Sequence, residues 1–356
     1  MPDFTIGSLR GGMNNSDPAI SLPDDQCILA QNVEFLSSML GERRLGTTAI
    51  SLPAFLSSKD RITFMLRHLP TSDDTASEFW ALGITGTTTA SLGRKTATWQ
   101  SEVTISDTPV LTGLHQYTWN AVSLHGKIHF AYKSNVDRLH VWDGTTMRRS
   151  GVKAPAAAPT AANNGVGGSY TGTRYFRVRY TEQVSGTTVR RGEPSAVLTF
   201  VPVGTNSGAI VTKPATISEG ETHWELEAST DNANFYRIAT TVVGTATYTD
   251  TAASYLLGTV SEDIEDYATI GSAKYLSHDD DRLVWAGSYE NDDYASRVGW
   301  TPVFGASGVG NDERFETDTD PFKDLDTYED GAVTGLSAPM FGGIWVFKQS
   351  AIYKLT

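Results

Sequence analysis

From about residue 60 onward, apolar and polar residues alternate in short runs, the period of a strand with one covered face, and Gly, Asp or Asn closes most runs. Four stretches share one grammar: a turn, a strand with aromatics, a second turn and a second strand. Glu78–Gly83 precedes Thr88–Leu92, and Leu124–Tyr132 precedes Arg138–Gly144. Asp280–Gly287 precedes Ser296–Thr301, and Phe341–Phe347 precedes Ala351–Leu355. Recurring strand pairs punctuated by aromatics and glycines predict an all-β chain, and their irregular spacing an irregular or partial β-propeller. The last strand runs to Thr356 with no closing turn, and four strand pairs make a short or open propeller, so a truncated or partly built chain is expected.

One segment interrupts the series. Lys153–Thr160 is a Pro/Ala linker. Beyond it, Tyr170–Thr181, Ala196–Pro202, Thr222–Ser229, Tyr236–Thr241 and Thr247–Asp250 alternate at the spacing of an immunoglobulin- or fibronectin-III-like β-sandwich, inserted between two blades. Residues 1–50 read as an extended arm with turns at Gly11–Asn15 and Leu22–Asp25. Within the arm only Asp25–Val33 suggests a helix, capped by Asp24 or Asp25, with Ile28, Leu29 and Asn32 on one face. The expected organisation is an arm over 1–50, propeller-like strands over 51–152, the sandwich over 153–258, and further propeller-like strands over 259–356.

Composition narrows the classes. The net charge of −13 lacks the basic footprint of a sequence-reading nucleic-acid binder and disfavours an anionic membrane surface. Cys27 stands alone, which excludes an intramolecular disulfide and a Cys-rich zinc site. No apolar run reaches the roughly 20 residues of a bilayer span, and Met1–Thr5 has no signal-peptide character, so no membrane segment and synthesis in a reducing cytosol are expected.

Candidate chemistry is sparse. His125 and His129 share a strand face if a strand carries both, as a ligand pair or, by preference, as two solvent-facing histidines. Residues 312–330 concentrate carboxylates against only Arg314 and Lys323. A calcium loop lacks its Asp-x-Asp-x-Asp-Gly register, and a glycosidase pair is unspecific in any acidic loop, so a solvated acidic loop is preferred. Asp279–Asp281 and Ser229–Phe235 read as turns; the latter lacks the Gly and Trp of a sialidase Asp box. Nucleophile-elbow, zinc-protease and phosphate-loop motifs are missing. No enzyme and no cofactor are expected.

The order of several motifs resembles the tail nozzle (tail hub, or tail tubular B-like) proteins of short-tailed bacteriophages. Leu9–Asn15, Leu22–Gln26, Gln31–Val33 and Gly41–Thr47 follow the opening of that family. Asp281–Gly287, Ser296–Val298, Arg314–Phe315, Gly335–Leu336, Gly343–Phe347 and Ala351–Tyr353 follow its propeller-like strands. Gly192–Ser195 and Tyr248–Thr251 look fibronectin-III-like. The resemblance implies a structural protein of the virion tail, made in the host bacterial cytoplasm, forming a homo-oligomeric, hexameric ring around the DNA ejection channel. It would dock to the adaptor or connector ring above, contact tail fibres or spikes, and let genomic DNA pass without specific binding. Arg43, Arg44 and Asn32 are the expected docking residues of the arm. Asp318, Asp320, Asp324 and Asp326 are the expected channel lining, where like charge keeps phosphate off the wall. Two competing readings are a receptor- or carbohydrate-binding module using Trp99, Trp119 and Tyr170 as stacking platforms, and a propeller hydrolase, for which nothing specifies converging carboxylates.

Overall fold

The computed structural model describes residues 51–70, 77–136, 138–168, 170, 172–255, 259–261, 267–269, 273–279, 281–289, 294–303, 313–314, 322–325, 331–340 and 342–356, with four short strands before residue 50. The chain divides into two units, Met1–Leu52 and Pro53–Thr356. In the first, β1 (Gly12–Met13) pairs parallel with β2 (Gln26–Cys27), and β3 (Val33–Phe35) pairs antiparallel with β4 (Gly41–Arg43). Gln26 and Cys27 are therefore extended where a helix was expected, because their backbone groups bond to a neighbouring strand. The rest of Asp25–Val33 up to Asn32 lies outside the described residues.

Among the described residues the second unit is predominantly β, with one helical turn α1 (Ala54–Ser57) and a 3-10 turn at Gly113–Tyr117. Sheet I contains β5 (Arg61–His68), β6 (Glu78–Thr85) and β7 (Thr89–Lys95), and sheet II contains β8 (Asn120–Leu124), β9 (Lys127–Ala131), β10 (His140–Trp142) and β11 (Met147–Arg149). Both are antiparallel meanders.

The next strands form two sheets around one core. β12 (Thr160–Asn163) belongs to sheet III; β13 (Arg174–Val184), β14 (Thr187–Arg191) and β15 (Leu198–Phe200) belong to sheet IV. β16 (Ala209–Thr212) returns to sheet III, and β17 (His223–Ser229) and β18 (Tyr236–Val242) to sheet IV. β19 (Thr247–Asp250) and β20 (Thr259–Val260) complete sheets III and IV respectively. Phe176, Val178, Tyr180, Trp224, Leu226 and Ala228 of sheet IV meet Ala209 and Val211 of sheet III in this core. The Pro/Ala segment ends in a strand, β12, whose small residues Ala161 and Ala162 pair with Val211 and Ile210.

Sheet V consists of β21 (Tyr275–Asp279), β22 (Arg282–Ala286), β23 (Arg297–Trp300) and β24 (Phe322–Asp324); sheet VI consists of β25 (Val333–Leu336), β26 (Ile344–Lys348) and β27 (Ile352–Leu355). All four strand pairs expected from the repeated grammar are present as antiparallel hairpins or ladders. Sheets I, II, V and VI stack in series. Trp80, Leu82 and Ile84 of sheet I pack on Ile128, Phe130 and Trp142 of sheet II. Leu124 and Ala131 of sheet II pack on Leu276 and Leu283 of sheet V, and Val284 and Val298 of sheet V on Ile344 and Val346 of sheet VI. Sheets II and V thus touch directly although sheets III and IV lie between them in sequence, and the Leu276 amide donates to Asn120 Oδ1 at 2.9 Å.

Two local features set the registers. His125 and Gly126 have φ of 49° and 74°, the paired left-handed conformations of a type I′ turn, and close the β8–β9 hairpin. In sheet V, Gly299 stands opposite Trp285, and a Cβ built there would lie 2.2 Å from the indole, so the strand accepts the ring only because this position has no side chain.

Candidate functional site

Where sheet II meets the loops around sheets III and IV, charge replaces hydrocarbon. The hub on one side is Glu313, whose carboxylate is almost fully buried. Arg148 of β11 grips it with both terminal nitrogens, Nη1 to Oε2 at 2.6 Å and Nη2 to Oε1 at 2.8 Å. Lys127 Nζ of β9 reaches Oε1 at 2.9 Å, and the Gly151 amide donates to Oε2 at 2.9 Å. Burial alone would raise the pKa of this carboxyl; Lys127 and Arg148 outweigh it and hold the pKa well below the usual range. Glu313 was read in sequence as part of a solvated acidic loop. That expectation is corrected at this residue, because cations supplied from β9 and β11 take the carboxylate out of water.

A second chain of contacts runs through β10 and β11 to the loop before β17. His140 of β10 is fully buried, stacks on Tyr132 at 4.5 Å between centroids, and lies 2.7 Å from Asp107 Oδ2 through Nε2. Arg149 of β11 binds the same carboxylate with Nε at 3.1 Å and Nη2 at 2.9 Å, and extends Nη1 to Glu219 Oε1 at 3.4 Å. Burial would raise Asp107; hydrogen bonds from His140 and Arg149 prevail and bring it down to about 2. Arg138 also binds Glu219, while the Lys153 amide donates to Glu219 Oε2 at 2.9 Å. Arg190 of β14 donates to the Gly151 carbonyl at 2.6 Å and the Glu219 carbonyl at 2.9 Å. Glu221 shapes the loop that presents Glu219 by accepting the amides of Ile217, Ser218 and Glu219 at 2.7–2.9 Å.

A cleft of about 380 Å³ lies over this junction, bordered by Asp143, Arg148, Arg149, Glu182, Arg190 and Glu219. Every one of these side chains already holds a partner of opposite charge. The arrangement is suited to joining rigid parts. The described residues contain no group of three or more His, Cys, Asp and Glu side chains able to hold a metal ion. No helix among them is long and apolar enough to cross a membrane.

The sequence-nominated residues fall elsewhere. Arg43 lies on β4, and nothing is described of its side chain; Asn32, Arg44, Asp318, Asp320 and Asp326 lie outside the described residues. Asp324 on β24 is held by Arg297 through two bonds of 2.8 and 2.9 Å. Arg297 hydrogen bonding lowers the Asp324 pKa. The Arg297 guanidinium is itself placed over Tyr294 at 3.9 Å and Phe322 at 3.8 Å, so the Asp324 charge is compensated.

His125 and His129 do not share a strand face. His125 occupies the left-handed turn, 3.6 Å from Asp281, and His129 is fully buried in sheet II. Trp119 and Tyr170 are equally unsuited to stacking sugars: Trp119 is buried face to face with Tyr132 at 4.1 Å, and the Tyr170 hydroxyl is buried on Asp250 Oδ2 at 2.9 Å. Trp99 is half-buried. Ser229–Phe235 is the β17–β18 turn, with Asp231 Oδ1 accepting the Ala233 and Asn234 amides.

Sequence reading missed the ionic junction because its partners are remote: Lys127 and Glu313 are 186 positions apart, and Arg149 and Glu219 are 70. The available signal was the density of arginines inside strands, as in Met147-Arg148-Arg149 and Val189-Arg190-Arg191 of an acidic chain. Compared with known proteins, the chain matches no protein-family model and no curated protein.

Proposed function

We propose that this chain is a structural, non-enzymatic component of a phage tail nozzle, a homo-oligomeric ring around the channel through which DNA leaves the particle. In this reading sheets I, II, V and VI are consecutive blades of a partial β-propeller, and sheets III and IV are a fibronectin-III-like sandwich spliced between the second and third blades. The observation that carries it is the serial stacking of the four sheets, with sheets II and V in direct contact across the intervening unit. That arrangement agrees with the order of the nozzle-like motifs before residue 50 and after residue 280. The compensated junction supports a structural role, since buried, multiply bonded ion pairs fix relative geometry. The arm, with Arg43, Arg44 and Asn32, docks on the adaptor ring, and Asp318, Asp320 and Asp326 face the channel. Asp324, neutralised by Arg297, contributes less to repelling phosphate than its neighbours in sequence.

Cryo-electron microscopy of the assembled particle tests this. Six copies around a DNA-width bore, joined to a larger ring, are expected. A monomer or a laterally projecting trimer without an axial channel overturns the proposal in favour of an adhesion module.

A further inference from the structure

His140 occupies a singular position in the junction. Its ring is fully buried; Nε2 is engaged by Asp107, and Nδ1 has no hydrogen-bond partner. Asp107 is engaged in turn by Arg149, Arg149 by Glu219, and Glu219 by Arg138 and the Lys153 amide. The imidazole therefore terminates a continuous chain of contacts from the aromatic stack of sheet II, Trp119 on Tyr132 on His140, to the unit built from sheets III and IV.

We propose that the His140–Asp107 pair is an acid-labile latch that holds the unit of sheets III and IV against sheet II. The neutral ring fits its surroundings: Nε2–H donates to Asp107, and Nδ1 needs no acceptor. A second proton would place an N–H in a buried position without a partner, and a positive charge beside Arg138 and Arg149. Among the described residues Asp107 is the one carboxylate directly against the ring; Tyr132 lies on its face, and Glu219 stands beyond the two arginines. Burial, against the attraction of Asp107, keeps the ring's affinity for a proton below that of a free histidine. The sign follows: the unlatched state binds the proton more readily than the latched one, so the latch is fully closed above the free-histidine value near 6.5 and weakens as pH falls below it. Asp107 stays ionised throughout that window.

Hydrogen exchange of the whole chain, read by mass spectrometry between pH 7.5 and 5 and corrected for intrinsic rates, tests the latch. Segments 104–112 and 149–156 carry amides that depend on the junction, among them Gly151 and Lys153; β17 is the internal reference. Exchange in the two segments should rise by up to about tenfold per pH unit below 6.5, the signature of one linked proton, while β17 stays unchanged. His140→Gln, which retains a side-chain donor but does not titrate, should abolish that rise. His68→Gln should leave it intact, although His68 is a second buried histidine, bonded to Ser123. If His140→Gln does not fold, Asp107→Asn keeps the ring and removes the attraction that favours its proton, so the rise, followed down to pH 4, should still begin near 6.5 but level off at lower pH than in the parent chain. The same rise in β17 as in the junction, its persistence in His140→Gln, or a rise in Asp107→Asn that levels off at the same or a higher pH than in the parent chain overturns the latch.

Discussion

The unit of sheets III and IV is built by one kind of force and attached by another. Its interior is hydrocarbon: Phe176, Val178, Tyr180, Trp224 and Leu226 fill the space between the two sheets. Its attachment to sheet II is ionic, through Arg138, Arg149 and Arg190 on Glu219 and on the backbone beside Gly151. The stacked sheets, by contrast, join one another through apolar faces. Apolar contact depends on area and tolerates small changes of angle, whereas bidentate pairs depend on the placement of single atoms. A unit attached in the second way has a defined orientation that removal of one group can release.

The largest expected effect breaks the apolar side of this contrast. Trp224→Ala empties the centre of the core and should cost about 3–5 kcal/mol in chemical denaturation, unfolding sheets III and IV while the Trp80 environment of sheet I keeps its near-ultraviolet signal. Glu313→Gln breaks the ionic side. Leaving Lys127 and Arg148 facing a neutral amide should cost about 3 kcal/mol, and it should raise exchange at Gly151 while leaving the interior of sheet IV protected. A smaller effect sharpens the comparison through pH. The folded pKa of Asp107 is depressed to about 2, so its contribution is present above its unfolded value near 4 and is lost as pH falls through that window. Melting temperature against pH in Asp107→Asn should therefore flatten between about pH 4 and 2, by a stability of about 2 kcal/mol. The smallest effect is Asp324→Asn. That pair is partly exposed and should contribute less than about 1 kcal/mol, fading further at high salt, a dependence the buried Glu313 cluster lacks.

Much of the fold was legible because hairpins are local. Trp80, Trp142, Trp285 and Trp345 each mark a strand whose partner lies within a short turn, and every such pair forms. The short strands β12 and β16 escaped because Thr160–Asn163 follows prolines and Ala209–Thr212 has only four residues; pairing with each other and with β19 makes them strands. The outer face of sheet IV shows a limit of alternation as a signal. Arg177 and Arg179 of β13, and Glu225 and Glu227 of β17, alternate with apolar residues as if facing water. They are buried, because Arg179 and Arg177 bind Glu227, and Arg191 and Arg237 bind Glu225. Alternation reports which residues share a face; it does not report whether that face is wet.

The direct contact of sheets II and V carries one more consequence. The chain leaves sheet II at Gly151, and the Thr269 methyl lies 3.6 Å from where a Cβ on that glycine would stand. Departure and return are neighbours, so the stacked sheets close over the interruption without being spread by it. The span between these two points is thus free of one geometric demand: whatever its length, it begins and ends at nearly the same place, and the contact of sheets II and V does not depend on its bulk.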